Sequence, residues 1–289
     1  MITVIGDALL DVRVLPARAP RPGVDVPAEI RLEPGGQGSN VAVRLARQGL
    51  QVRLTCAVGT DMSGDVLRGR LAMEGIELHD LGAPATGVVV VLLDERRERT
   101  MLSHRVPLGP DVSRIAPPAD GWLVVSGYVL LEPEARVPAG GDRRALLGCS
   151  LDSSGAAAWL ERARAMAPHL VMLNSDEAVA IVRSQQPPAE LARILADRLS
   201  AIVVVTHETG ATAVAGGQHV DVRAAASGPI VDATGAGDAF AAGLIAGLGD
   251  DVWPPDADRL ERAMAGATDL AGAVARVSGA QGHVEGEQA

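Results

Sequence analysis

Aromatic residues are almost missing from this chain: Trp122, Trp159, Trp253, Tyr128 and Phe240 are the whole set, 2% of 289 residues. A platform for stacking unpaired bases needs several rings on one surface, so single-strand nucleic-acid binding is nearly excluded. An excess of basic charge is missing too. The formal net charge is −10, whereas a phosphodiester backbone is gripped by basic patches. Nucleotides stay open, because a local nest of N–H groups with a metal holds a triphosphate. Two cysteines, Cys56 and Cys149, are too few for a disulfide framework and point to a reducing cytoplasm. The N-terminal Met-Ile-Thr-Val-Ile-Gly-Asp has no basic leader and reads as a buried strand. No apolar run approaches the roughly 20 residues that cross a bilayer, so no membrane partner is expected. No Cys/His spacing indicates zinc, and no serine sits in a Gly-x-Ser-x-Gly elbow, so a serine hydrolase has no support.

What is present is aliphatic. Hydrophobic residues make up 47%, enough for the core of one large α/β domain. Short β-branched runs alternate with longer amphipathic stretches. Strands are predicted at 2–5, 52–58, 122–125, 170–173 and 202–206, and helices at 40–48, 64–73, 156–166, 189–199, 239–248 and 256–275. Fully apolar strands alternating with helices imply a mostly parallel sheet covered on both faces, with ligands at the carboxyl ends of the strands. Two segments interrupt the pattern. Residues 12–34 are rich in Pro and Arg; residues 87–106 read as a hairpin with a charged tip at Asp94–Glu98. Neither has a helix partner, so they are expected to form a small β-flap. The tail from Gly279 is expected to be loosely held.

The most informative stretch is 231–242, Val-Asp-Ala-Thr-Gly-Ala-Gly-Asp-Ala-Phe-Ala-Ala. A short strand at Ile230 and Val231 is predicted to run into a glycine turn that opens a helix. N–H groups of Gly235, Ala236 and Gly237 at a helix N-terminus favour an anion. Asp238 follows in the first helical turn. A carboxylate repels a phosphate, so its place there makes sense if it orients a hydroxyl that attacks phosphorus; its bland reading is a helix cap. The helix terminus is expected to lower its pKa, which weakens it as a base.

Other strings carry polar groups into helices. Gly6-Asp7-Ala8-Leu9-Leu10-Asp11 leaves the first strand, and Asp11 alone reads equally as a turn residue. Gly35-Gly36-Gln37-Gly38-Ser39-Asn40 precedes a helix that Asn40 is able to cap. Asn174-Ser-Asp-Glu177 follows a strand and is also a plausible capping box. His207, alone at a strand end, reads as a surface or packing residue.

The string Asp-x-Thr-Gly-Ala-Gly-Asp resembles the C-terminal signature of the ribokinase-like (PfkB) family of carbohydrate and nucleoside kinases. Gly-Gly-Gln-Gly-Ser-Asn resembles that family's N-terminal signature, and Asn174/Glu177 match its Asn-x-x-Glu motif. The resemblance covers essentially the whole chain and implies a three-layer α/β/α ribokinase-like domain with a small β-sheet lid. Its core would span 1–11, 35–86 and 107–289, and its lid 12–34 and 87–106. It further implies ATP as phosphate donor, Asp238 as catalytic carboxylate, and amides at Gly235, Ala236 and Gly237 on the transferring phosphoryl. Asp11 and Asn40 would hold substrate hydroxyls, with backbone of Gly35 and Gly36 close by. Asn174 and Glu177 would organise Mg²⁺ through water, while Asn174, Thr206, Gly210 and Gly237 would contact nucleotide. The loop after Thr206 departs from the family pattern: its middle glycine is absent and it is one residue short. Asp232 and Thr234 align with a monovalent-cation loop, of the potassium type. The expected partner is a small sugar or nucleoside. Edge strands in the lid make a homodimer plausible. A nucleoside kinase would need a base pocket, for which Tyr128 and Trp122 are the mid-chain candidates. A catalytically silent sugar-binding protein on the same fold is the second alternative.

Overall fold

The computed structural model describes residues 1–94, 99–116, 119–138, 141–151, 155–225, 228–249, 252–284 and 287. Most of the expected hairpin tip, 95–98, lies outside the described residues. In chain order the elements are β1 (Ile2–Ile5), β2 (Leu9–Pro16), β3 (Ala28–Gly35), α1 (Gln37–Arg47), β4 (Val52–Cys56), α2 (Met62–Met73), β5 (Glu77–Asp80), β6 (Gly87–Leu93) and β7 (Arg99–His104). There follow β8 (Trp122–Val125), β9 (Arg143–Leu147), α3 (Gly155–Met166), β10 (Leu170–Asn174), α4 (Ser175–Val182), α5 (Pro188–Leu199), β11 (Ile202–His207), β12 (Gly210–Ala215), β13 (Gln218–Arg223), α6 (Ala236–Leu248) and α7 (Ala257–Val274).

Nine strands make one sheet in the order β13-β12-β11-β10-β9-β8-β1-β4-β5. Pairing is parallel from β5 across to β11, and β12 and β13 close that edge as antiparallel strands. The strands are apolar throughout because both faces are buried. In β8, Trp122 and Val124 face one core while Leu123 and Val125 face the other; β10 and β11 divide the same way. α1, α2, α6 and α7 cover the first face, and α3, α4 and α5 the second.

The strands predicted at 2–5, 52–58, 122–125, 170–173 and 202–206 and the long helices are present, with ends shifted by a few residues. β5, β9, β12, β13 and α4 escaped the reading. β9 opens on Arg143 and Arg144, β12 is Gly/Ala-rich and β13 is mostly polar, so none shows an apolar run. The antiparallel hairpin also explains the short loop after Thr206: His207 pairs with Gly210, which leaves two residues to turn the chain.

The flap is a separate four-stranded sheet, β3-β2-β6-β7. Its first strand starts at Leu9 and pairs as far as Gly35, wider than 12–34. It lies on the side where β1 ends and α1 begins, over the carboxyl ends of the large sheet.

The tail is a correction. Ala280, Gln281 and Val284 are buried. Arg44, fully buried on α1, donates to the Ala280 and Gly282 carbonyls at 2.8 Å and pairs with Glu287 at 2.7 Å. Arg47 donates to the Gln281 carbonyl at 3.0 Å. Two arginines of one helix thus anchor the chain end.

Candidate active site

Three helix entrances and four strand ends meet beneath the flap. Asp11 sits on β2, against the turn into α1. A Cβ at Gly35 would fall 2.3–2.5 Å from the Asp11 carboxylate atoms, so the residue behind that carboxylate must be glycine. Asn40, in the first turns of α1, is 5% exposed. Its Oδ1 accepts from Gln281 Nε2 at 3.1 Å, which turns its Nδ2 toward Asp238 Oδ2, to which it donates at 2.8 Å. The tail therefore sets the orientation of the amide that holds the carboxylate.

The strand expected at Ile230 and Val231 does not form. Both residues are exposed, at 73% and 46%, and the N–H groups of Val231 and Asp232 bind the Ala275 carbonyl at 2.9 and 3.1 Å. The glycine turn does open α6. Gly235 takes φ +79°, and no side chain caps the helix. First-turn N–H groups have no intrahelical acceptor and so face a ligand or water. Of the three amides expected there, that of Ala236 bends back to the Ala233 carbonyl at 3.3 Å.

Two cavities meet at this turn. One, of about 280 Å³, is lined by Tyr128, Gly148, Asn174, Glu177, Gly235, Asp238 and Arg99. The other, of about 380 Å³, is lined by Ile230, Ala236, Ala271, Ala275 and Gly210. Thr206, Gly237 and Phe240 line both, so the two are contiguous, with a polar end at Asp238 and a more apolar end between α6, α7 and β12.

Electrostatics reverse the expectation for Asp238. Burial is the largest influence, and the charges of Asp7, Glu177 and Asp11 add to it; together they outweigh the Asn40 hydrogen bond and push its pKa up to about 7. Burial also lifts Asp11 to about 7, helped by Glu33 and Asp7. Glu177 rises to about 7, again chiefly through burial. Asp238 and Glu177 line the same cavity, whereas Asp11 lines neither cavity, and each of the three is easier to protonate than a free carboxylate.

Asn174 and Glu177 form a complete capping box: Asn174 Oδ1 accepts from the Glu177 N–H at 2.8 Å, and Glu177 Oε2 from the Asn174 N–H at 2.9 Å. The cap and a place on the cavity wall coexist. The capping bonds engage one oxygen of each side chain, and Glu177 is packed against Gly148, where a Cβ would lie 2.1 Å from Oε2.

Several groups here gave no sequence signal. Arg99 leaves β7 to donate to Thr234 Oγ1 at 2.7 Å. Arg105 pairs with Asp7 and lies 3.6 Å over the Tyr128 ring. The signal that was present is compositional: the sequence contains no lysine, so the permanently charged cations of this chain's side chains are all arginines. Trp122 is not a site residue. It is 1% exposed at the opposite end of the sheet, edge-on to Trp253 at 5.2 Å. His207 contacts Thr209 at 3.1 Å and lines the rim of the second cavity. Among the described residues no group of three or more His, Cys, Asp or Glu is arranged to hold a metal, and no helix is long and apolar enough to cross a membrane.

The sequence matches the family model described as pfkB family carbohydrate kinase over residues 1–109 and 142–285. A fructokinase of Klebsiella pneumoniae is 31% identical, over 86% of this chain and 84% of that one. A fructokinase of Salmonella typhimurium is 30% identical, over 90% and 88%. In fold, an aminoimidazole riboside kinase from Salmonella enterica superposes with a TM-score of 0.77 at 21% identity, over 97% of this chain and 95% of that one.

Proposed function

Since the chain belongs to the pfkB family of carbohydrate kinases, enzymes that move a phosphoryl group from ATP to an alcohol, we propose that Asp238 and the α6 turn carry that transfer to a hydroxyl of a small sugar. The supporting observation is the Asp238 carboxylate itself: held by Asn40 at 2.8 Å, it lines the cavity at the first turn of α6.

In this reading Asp11 and Asn40 position sugar hydroxyls, one accepting and one donating, with the Gly35–Gly36 backbone beside them. The attacking hydroxyl forms its bond to the γ-phosphorus as the bond to the bridging oxygen breaks; ADP leaves and the hydroxyl proton passes to Asp238. Amides at Gly235 and Gly237 meet charge on the transferring group. The contiguous cavities suit a nucleotide whose phosphates lie at the polar end and whose base enters the apolar end, past Thr206 and Gly210. The four-stranded sheet acts as the lid, assigned to 12–34 and 87–106, and excludes water, the competing nucleophile. Ile30, Leu32, Met101 and Leu102 are exposed on its edge strands β3 and β7, which is the surface on which a second copy would form a dimer.

Glu177 and Asn174 fit Mg²⁺ that keeps part of its water shell, because both line the cavity with oxygen atoms and the cap engages only Oε2 of the Glu177 carboxylate. Held there with ATP, such an ion would supply positive charge against the phosphates. Glu177→Gln is expected to raise the Mg²⁺ concentration needed for half-maximal turnover by about 10–100-fold, with the melting temperature unchanged or higher. An unaltered Mg²⁺ titration would remove Glu177 from this role.

The acceptor is tested by ADP release with ATP, Mg²⁺ and a panel of free sugars and nucleosides. Turnover with a sugar is expected. Turnover with nucleosides alone would favour the nucleoside reading, and binding of a sugar without any ADP release would favour a silent binding protein.

A further inference from the structure

Arg13 starts on the lid strand β2 but ends in the loop beneath the α6 turn. Its Nη1 lies 3.0 Å from Asp232 Oδ2 and donates to Ser278 Oγ at 2.8 Å, with Glu33 Oε2 at 3.5 Å. The Arg13 and Asp232 side chains are 15% and 6% exposed, so this pair is largely withdrawn from water.

Asp232 is the knot of that loop. Its Oδ1 accepts from the Thr234 N–H at 3.0 Å and the Thr234 hydroxyl at 2.6 Å. Its Oδ2 accepts from the Gly279 N–H at 3.0 Å and stands in ionic contact with Arg13 Nη1 at 3.0 Å. A carboxylate oxygen has two lone-pair directions, so three of the four sites are engaged in hydrogen bonds and the guanidinium stands against the oxygen that holds the fourth. Asp232 and Thr234 are the residues for which the family resemblance implies a monovalent ion. They do not fit one here: Asp232 already accepts three hydrogen bonds from Thr234 and Gly279, and the positive charge of Arg13 already stands against Oδ2.

We propose that the Arg13 guanidinium replaces the monovalent cation, making this kinase independent of potassium and tying the loop under its phosphate-facing turn to the lid. A fixed cation on a side chain does the electrostatic part of an ion's work, neutralising Asp232 and holding Thr234 and Gly279 around it. It differs in being carried by the second sheet. The Gly235 turn is pressed on Ala280, so the position of the lid and the shape of the turn become mechanically linked through Arg13, Asp232 and Ser278. Arg13 is thus a positioning residue.

The test compares potassium chloride with tetramethylammonium chloride at equal ionic strength, reading turnover and melting temperature. For the native chain both are expected to agree within about twofold in rate and to show no ion-dependent melting shift, since an ion that does not bind cannot stabilise. Arg13→Ala is expected to lose about tenfold or more in turnover in tetramethylammonium, because it strands a buried carboxylate. Potassium or free guanidinium should restore much of that loss and raise the melting temperature of the variant. Arg13→Lys, which keeps the charge, should stay indifferent to potassium. The proposal is overturned by strong potassium activation of the native chain, by full potassium-independent turnover in Arg13→Ala, or by a folded Arg13→Ala whose loss neither cation repairs. Should Arg13→Ala fail to fold, the native and Arg13→Lys comparisons decide.

Discussion

Asp238→Asn is expected to lower kcat by about 10²–10⁴-fold while ATP binding persists. The amide keeps the size of the carboxyl group, and its oxygen still accepts from Asn40 Nδ2. What it loses is the ability to take the hydroxyl proton and the negative charge that orients it. The proposed ATP contacts are the backbone amides of the α6 turn, Thr206 and the apolar cavity, and all of these groups keep their chemistry in the variant. Near-native turnover in this variant would refute the assignment of Asp238.

The pKa of Asp238, raised from 3.8 to about 7, gives this prediction a second and a third readout. Turnover of the native enzyme needs the carboxylate, so kcat/KM for the sugar should fall about tenfold per pH unit below about 7 and level off above it. A flat profile between pH 6 and 8 would contradict that. Stability runs the other way. A folded-state pKa above the unfolded value means that folding favours the protonated form. The stabilisation is fully present below 3.8 and is lost as pH rises through about 7. The Asn variant carries no charge to desolvate, so at pH 8 it should melt about 2–4 °C higher than the native chain, with the difference vanishing near pH 4. Lost activity with gained stability is a pattern that a merely misfolded variant does not produce.

Gly235→Ala should be damaging in both respects. Gly235 occupies φ +79° and ψ 0°, and a Cβ there would come within 2.8 Å of the Ala280 Cα and Cβ. Both are rigid groups of a tail pinned by Arg44 and Arg47, so the turn must move instead. The left-handed backbone alone costs about 1–2 kcal/mol for alanine. Displacement of the amides relative to Asp238 should cost about 10²-fold in turnover, since misplacement near 1 Å is worth that much. Gly237→Ala is the contrast. No atom lies within 4 Å of its Cβ position, so the chain should fold normally. Its methyl group stands in the cavity, and the expected change is a raised KM for ATP. Equal melting temperatures and equal kinetics for the two variants would remove the α6 turn from phosphate contact.

How much of this was legible beforehand differs by kind of interaction. β1, β8, β10 and β11 were readable because burial on both faces demands unbroken apolar runs. β12 and β13 were not, because a Gly/Ala strand and a polar edge strand carry no such demand. Asp11, Asn40, Asn174, Glu177 and Asp238 could be proposed from the sequence because each belongs to a short string in which the turn and the helix entrance are set by neighbours in sequence. Arg99, Arg105 and Gln281 could not, since each acts on a partner from a distant part of the chain and belongs to no local pattern.

The alternation of the elements, the glycine turn into α6 and the residues offered to a phosphate and a hydroxyl are determined by the sequence alone, because backbone conformation and apolar periodicity are local properties. Tertiary structure decided the rest. It raised Asp238 where the helix terminus argued for lowering it, since desolvation by the surrounding walls is a property of the closed cavity. It drew the tail inward, because Arg44 and Arg47 find their acceptors only once α1 is packed. And it brought Arg13 across from the lid to Asp232, 219 positions later in the chain, a pairing of opposite charges that exists only when two sheets lie together.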